Sequence, residues 1–131
     1  MAEVIVDSNI LLDLYTQDDV WEERSAAAIA SAADADVLVI NPIIYAELSV
    51  ERIEELDEFL GADFRRDSLP WEAAFIAGKA FLAYRRRGGS KTAPLPDFYI
   101  GAHAAVQGMR ILTRDPTRYT SYFPTVRIIE P

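Results

Sequence analysis

The sequence predicts a doubly wound α/β sandwich, with a central, mostly parallel sheet of about five strands between layers of helices. Three observations carry this. Short runs rich in Val and Ile recur along the chain, too brief for helices and apolar throughout, as strands buried in a parallel sheet are. Between them lie longer stretches with apolar residues at helical spacing. The alternation of the two requires right-handed crossovers, which leave helices on both faces of the sheet.

Taken in order, residues 3–7 read as the first buried strand, and Ile10-Leu11-Leu12-Asp13-Leu14 continues apolar into a helical turn. Trp21, Ala28, Ile29 and Ala32 predict an amphipathic helix over about 19–33. Val37-Leu38-Val39-Ile40 is the second strand. Asn41-Pro42 then starts a helix, because Asn accepts from free amides and proline suits the first helical position. A further helix puts Ile53, Leu56 and Leu60 on one face and stops at Gly61. Residues 63–66 form a short strand. Pro70 opens a long helix with a predicted buried stripe of Trp71, Ala74, Phe75, Gly78, Phe81 and Leu82, ending at Gly88-Gly89. A proline-containing loop over 90–96 precedes a helix from about Asp97, and the last two strands fall at 110–113 and 126–129.

With 131 residues the chain reads as a single domain over 1–131, long enough for a proper core. It has no apolar run of membrane-spanning length, and its opening residues lack the basic start of a signal peptide, so the expectation is a cytoplasmic protein without a membrane anchor. Cysteine is absent, which excludes disulfides and thiolate metal sites. The balance of 13 basic and 21 acidic residues, a net charge of −8, argues against a broad nucleic-acid-binding face. Two features work the other way: acids pooled in a metal site are offset by the ion, and Arg85-Arg86-Arg87 with Lys91 nearby concentrates basic charge. The same arginines suit the solvated end of a helix equally well.

Parallel sheets place function at the carboxyl ends of their strands, where strand order reverses. The first strand ends in Asp7-Ser8-Asn9, the second leads into the helix carrying Glu47, the fourth ends in Thr113-Arg114-Asp115, and Asp97 begins the helix before that strand. Singly, each acid has an ordinary role: Asp97 as a helix cap, Asp115 as the start of a turn at Pro116, Glu47 on a solvated helix face. Asp7 is the hardest to account for in this way, since it directly follows Val4-Ile5-Val6 in a central strand. Converging on one edge, four carboxylates need compensation by a cation. An all-oxygen set suits Mg²⁺ or Mn²⁺, which can activate a water against a phosphodiester.

The run Val4-Ile5-Val6-Asp7-Ser8-Asn9-Ile10-Leu11-Leu12 resembles the opening of PIN domains. The segment Asn41-Pro42-Ile43-Ile44-Tyr45-Ala46-Glu47-Leu48 is similar to the family's second acidic motif, and Pro96-Asp97-Phe98-Tyr99-Ile100-Gly101-Ala102-His103-Ala104 to its third. The closing motif resembles Gly108-Met109-Arg110-Ile111-Leu112-Thr113-Arg114-Asp115, and the tail with Tyr119 and Phe123-Pro124 also fits. The resemblance covers essentially the whole chain and is best to VapC-type toxins. It implies a PIN-like fold and an endoribonuclease using Mg²⁺ or Mn²⁺, dimeric and silenced by a small antitoxin. Carried onto this sequence, Asp7, Glu47, Asp97 and Asp115 form the metal-binding catalytic site. Asp7 and Asp97 are direct ligands, Glu47 binds metal or orients the attacking water, and Asp115 serves a second metal or acts through water. Asn9, Ser8 and Thr113 hydrogen-bond these carboxylates into place, or make ordinary strand-end bonds.

For gripping RNA phosphate the candidates are Arg114 and Arg85, Arg86 and Arg87. His103, the one histidine, sits within a helix rather than at its start, which turns it away from the acids. Two other readings compete. Phosphatases of the haloacid dehalogenase type also use a strand-end Asp, but carry a second Asp two residues on, where this chain has Asn9. A catalytically silent binding module would use Tyr15, Trp21, Tyr45 and the apolar face of the 51–60 helix as a partner surface, and would lose nothing when its carboxylates become amides.

Overall fold

The computed structural model describes residues 2–50, 54–92 and 95–131. Five strands form one all-parallel sheet in the order β3-β2-β1-β4-β5: β1 Glu3–Val6, β2 Val37–Ile40, β3 Phe64–Arg66, β4 Arg110–Leu112 and β5 Ile128–Ile129. Every strand lies where the sequence predicts one, and the parallel pairing follows from the helices between them. Val4, Ile5 and Val6 of β1 and Val39 of β2 are wholly buried, as central strands covered on both faces must be. Strand order reverses at β1, which pairs with β2 on one side and β4 on the other. The switch point of the fold therefore lies at the carboxyl ends of β1 and β4.

Seven helices connect the strands among the described residues: α1 Ser8–Tyr15, α2 Glu22–Ala35, α3 Pro42–Val50, α4 Leu56–Leu60, α5 Trp71–Arg86, α6 Pro96–Gln107 and α7 Thr117–Thr120. The apolar run after β1 is a full helix rather than one turn, since Asp7 accepts from the Ser8 amide at its start. Helix α2 begins three residues later than the sequence suggests, because Asp18 instead accepts from the Val20 and Trp21 amides and makes a turn there. In α3, Asn41 takes the capping position and accepts from Ile44 N at 3.0 Å. The Ile53 position of the predicted 53–60 helix lies outside the described residues. No helix among the described residues is long and apolar enough to cross a membrane.

The predicted stripe of α5 holds only in part: Ala74 and Phe81 are partly covered, and its other members are exposed. Trp71, Phe75 and Leu82 are exposed, at 93%, 65% and 40%, and Gly78 has open space around it. The buried positions are Ala73 and Ala77, with Ala80, Phe81 and Tyr84 partly covered beside them. Small residues stand where α5 meets α6, because they let two helices approach closely. The bulky residues Trp71, Phe75 and Leu82 are left exposed on the other face at helical spacing.

The core continues to the end of the chain. Tyr119, Phe123 and Val126 are buried, and Phe123 packs so tightly on Gly101 that an added Cβ there would lie 2.3 Å from its ring. No L side chain fits at that crossing, which explains a glycine in the middle of α6 despite its helix penalty.

Candidate active site

The crevice at β1 and β4 gathers the acids. Asp7 leaves the end of β1 and is only 1% exposed. Its Oδ1 accepts from Ser8 N at 2.8 Å, and its Oδ2 accepts from the hydroxyls of Thr113 and Tyr119, both at 2.8 Å. A charge taken out of water needs such donors, and three of them hold this one in a single rotamer. Thr113 is itself fully buried and uses its remaining capacity to accept from Asp115 N at 3.0 Å and Asn9 Nδ2 at 3.3 Å. One hydroxyl thus ties the ends of β1 and β4 together.

Helix α3 brings Glu47 to the same place, where Ser8 Oγ donates to its Oε1 at 3.2 Å. Burial, and then the Asp7 charge, push the Glu47 carboxyl above its ordinary range, with Asp97 adding to the effect. Asp97, in the first turn of α6, is raised too: burial leads, Arg118 opposes it, and Asp7 and Asp115 add to the rise. These shifts have two physical sources, desolvation and like charge, and like charge acts only when the acids stand close. Contacts through Ser8, Thr113 and Arg118 link Asp7, Glu47, Asp97 and Asp115 to one another at this edge of the sheet.

Ser8 and Thr113 touch carboxylates as expected, whereas Asn9 does not. Its side chain bonds Thr113 and accepts from Arg114 N at 3.3 Å, bracing the β4 end instead. Arg114 is already engaged: its Nε lies 3.0 Å from Oδ2 of the buried Asp13, and its guanidinium stacks over Trp21. Ser25 Oγ donates to the same Asp13 oxygen at 2.8 Å. The arginine cluster closes α5 away from the acids. Arg85 donates to Lys91 O, Arg86 is exposed, and Arg87 lies over the Tyr122 ring, which meets the ring of Phe98 beside Asp97.

Sequence reasoning missed two residues, both on α7. Tyr119 is fully buried, and burial together with the Asp7 charge drives its hydroxyl far above the usual phenol range, so it stays a neutral donor. Arg118 places Nε 2.7 Å from Asp115 Oδ2 and Nη1 3.7 Å from Asp97 Oδ1. Burial works against its charge, but Asp97, Asp115 and Asp7 outweigh this and hold it protonated. The available signal was the spacing: a single turn from Pro116 puts a residue three positions after Asp115 back over it.

His103 takes no part in the acid cluster. It is wholly buried between Asn41 and Gln107. Asn41 Oδ1 already accepts from Ile44, so its Nδ2 must donate to His103 Nδ1 at 3.1 Å, and Nε2 carries the proton toward Gln107. Burial holds the imidazole below its ordinary value, which keeps it neutral.

The donor set suits an oxygen-preferring divalent ion, being carboxylate throughout. As placed, however, no three Asp, Glu or His side chains among the described residues form a ready metal cage. Asp7 is occupied by its donors, and Asp97 and Asp115 face Arg118 rather than one another.

Residues 4–119 match the PIN domain family, and the chain belongs to it. The same fold is found in toxin–antitoxin proteins. Among solved structures, the chain is similar to VapBC2 from Rickettsia felis bound to a promoter DNA fragment (TM-score 0.75, 16% identity, 98% of each chain covered). It also resembles VapBC-1 from nontypeable Haemophilus influenzae (TM-score 0.69, 19% identity, 98% of this chain and 97% of that one). A third likeness is to VapC20 of Mycobacterium tuberculosis, a toxin that cleaves the sarcin-ricin loop (TM-score 0.67, 14% identity, 95% and 98% covered). No curated protein matches the sequence.

Proposed function

We propose that this protein is a metal-dependent endoribonuclease, the toxin of a VapBC-type pair, working in the cytoplasm. The observation that carries the reading is the convergence of Asp7, Glu47, Asp97 and Asp115, linked through Ser8, Thr113 and Arg118, in a PIN-family chain, where burial and neighbouring acids raise the carboxyls of Glu47 and Asp97. Folding retains that cost, which is what a site prepared for a cation looks like. Asp7, Glu47 and Asp97 would hold Mg²⁺ or Mn²⁺, with Asp115 completing the acidic group. When bound, the ion supplies an acidified water and charge stabilisation at phosphorus. Around it Tyr119 and Thr113 fix the Asp7 rotamer, Ser8 orients Glu47, and a half-buried Glu47 of raised pKa is suited to take a proton from the attacking water. Arg87 and the exposed part of Arg114 are the phosphate-gripping candidates.

Two of these solved structures, VapBC2 and VapBC-1, are VapBC complexes, which supports a small antitoxin as the partner. The apolar stripe of Trp71, Phe75 and Leu82 supports a homodimer packed through α5.

The test is RNA cleavage by antitoxin-free protein in Mn²⁺, Mg²⁺ or EDTA. Cleavage should require metal and fall at least ~100-fold in Asp7→Asn, in line with loss of a group that acts directly in catalysis. Parent-like cleavage by that variant would sink the site assignment. A protein that binds its antitoxin but cleaves no RNA on a broad panel would point to a fold kept for binding.

A further inference from the structure

Arg118 already stands among the acids of the site. Its guanidinium reaches both Asp97 and Asp115, 2.7 Å from Asp115 Oδ2 and 3.7 Å from Asp97 Oδ1. Asp115 is further engaged by Thr117 Oγ1 at 3.1 Å. The arginine is not free to drift, because the next residue, Tyr119, is wholly buried and donates its hydroxyl to Asp7. The turn is pinned on its other side too, where Arg118 N and Tyr119 N donate to Asp115 O and Pro116 O. A divalent ion entering between Asp97 and Asp115 would meet a fixed positive charge at contact distance, a repulsion large in a half-buried site.

We propose that Arg118 is a resident cation of the acidic site. It holds the Asp97–Asp115 side as an ion pair and limits the site to one divalent ion, taken by Asp7, Glu47 and the remaining oxygen of Asp97. This rests on the metal-site reading above. It makes Arg118 a positioning residue, acting through Asp115 and Asp97, and removes Asp115 from the set of direct ligands.

The experiment is calorimetric titration of Mn²⁺ into the intact protein, comparing the parent with Arg118→Gln, Arg118→Lys and Asp7→Asn. Thermal melts are run on each to establish that it is folded. The parent should bind one Mn²⁺ per chain, and Asp7→Asn should bind it at least ~10-fold more weakly, as for loss of a ligand or its support. Arg118→Gln should gain a second Mn²⁺, and Arg118→Lys, which keeps the charge, should return to one. Two ions in the parent, or one ion of unchanged affinity in Arg118→Gln, overturns the proposal while leaving the metal site standing. No Mn²⁺ binding by any of the four proteins overturns the metal-site reading itself, and this proposal with it.

Discussion

Replacing Asn41 by Ala removes two buried hydrogen bonds that belong to different helices. The side chain is 2% exposed; its oxygen caps α3 and its nitrogen supplies His103 Nδ1. Loss of the cap costs about 1 kcal/mol. The imidazole then has an acceptor buried without a donor, at a further cost of roughly 1–3 kcal/mol. The sum is about 2–4 kcal/mol, and at ~4 °C per kcal/mol for a domain of this size it lowers the Tm by roughly 8–15 °C. Thermal unfolding followed by circular dichroism at pH 7.5 measures it directly. A second variant, His103→Leu, and the double variant complete a cycle. Because the two side chains share one bond, the double variant should lose at least ~0.5 kcal/mol less than the sum of the singles. A melt within 3 °C of the parent for Asn41→Ala, on the ~4 °C scale above, or strict additivity in the cycle, would refute the reasoning.

Three further outcomes follow from the same geometry. Glu47→Gln should melt higher than the parent at pH 7. The folded-state pKa of Glu47 is raised, so its favourable contribution is complete below the unfolded value of ~4.3 and is lost as pH rises through the folded value. The advantage of the Gln variant should therefore vanish at pH 4, and equal melts at pH 7 would count against the crowding of the acids. Gly101→Ala should destabilise by ~1–3 kcal/mol in a urea titration, since its Cβ meets the Phe123 ring; a neutral result would mean that the tail repacks freely. Phe75→Asp should leave the melt nearly unchanged, the residue being 65% exposed, yet shift the mass in light scattering from dimer to monomer. A monomeric parent, or a dimeric variant, would remove α5 from the assembly.

Strands were legible because their signal is local: Val4-Ile5-Val6 and Val37-Leu38-Val39-Ile40 are apolar throughout, whatever packs on them. Asp7 and Asp115 could be placed because each follows such a strand, Asp97 because it begins a helix, and Glu47 because its helix directly follows β2. Facing was less legible. In α5 the bulky residues looked like core, but Ala73 and Ala77 are the buried ones, and only the identity of the neighbouring helix decides that. The roles of Arg118 and Tyr119 depend on a single turn after Pro116, too short for any periodicity to show. Arg114 illustrates the converse: its position suggested phosphate, while Asp13 and Trp21, distant in sequence, had already claimed most of it.

The bond from Tyr119 to Asp7 joins residues 112 positions apart, and β1 meets its neighbour β4 only at Arg110–Leu112. In the order of synthesis, the carboxylate is made long before the residues that orient it. A nascent chain carries Asp7 unsupported until Thr113 and Tyr119 have been added. The fixed rotamer of Asp7 therefore waits for the long-range pairing of β1 with β4 to close, the slow kind of contact in folding.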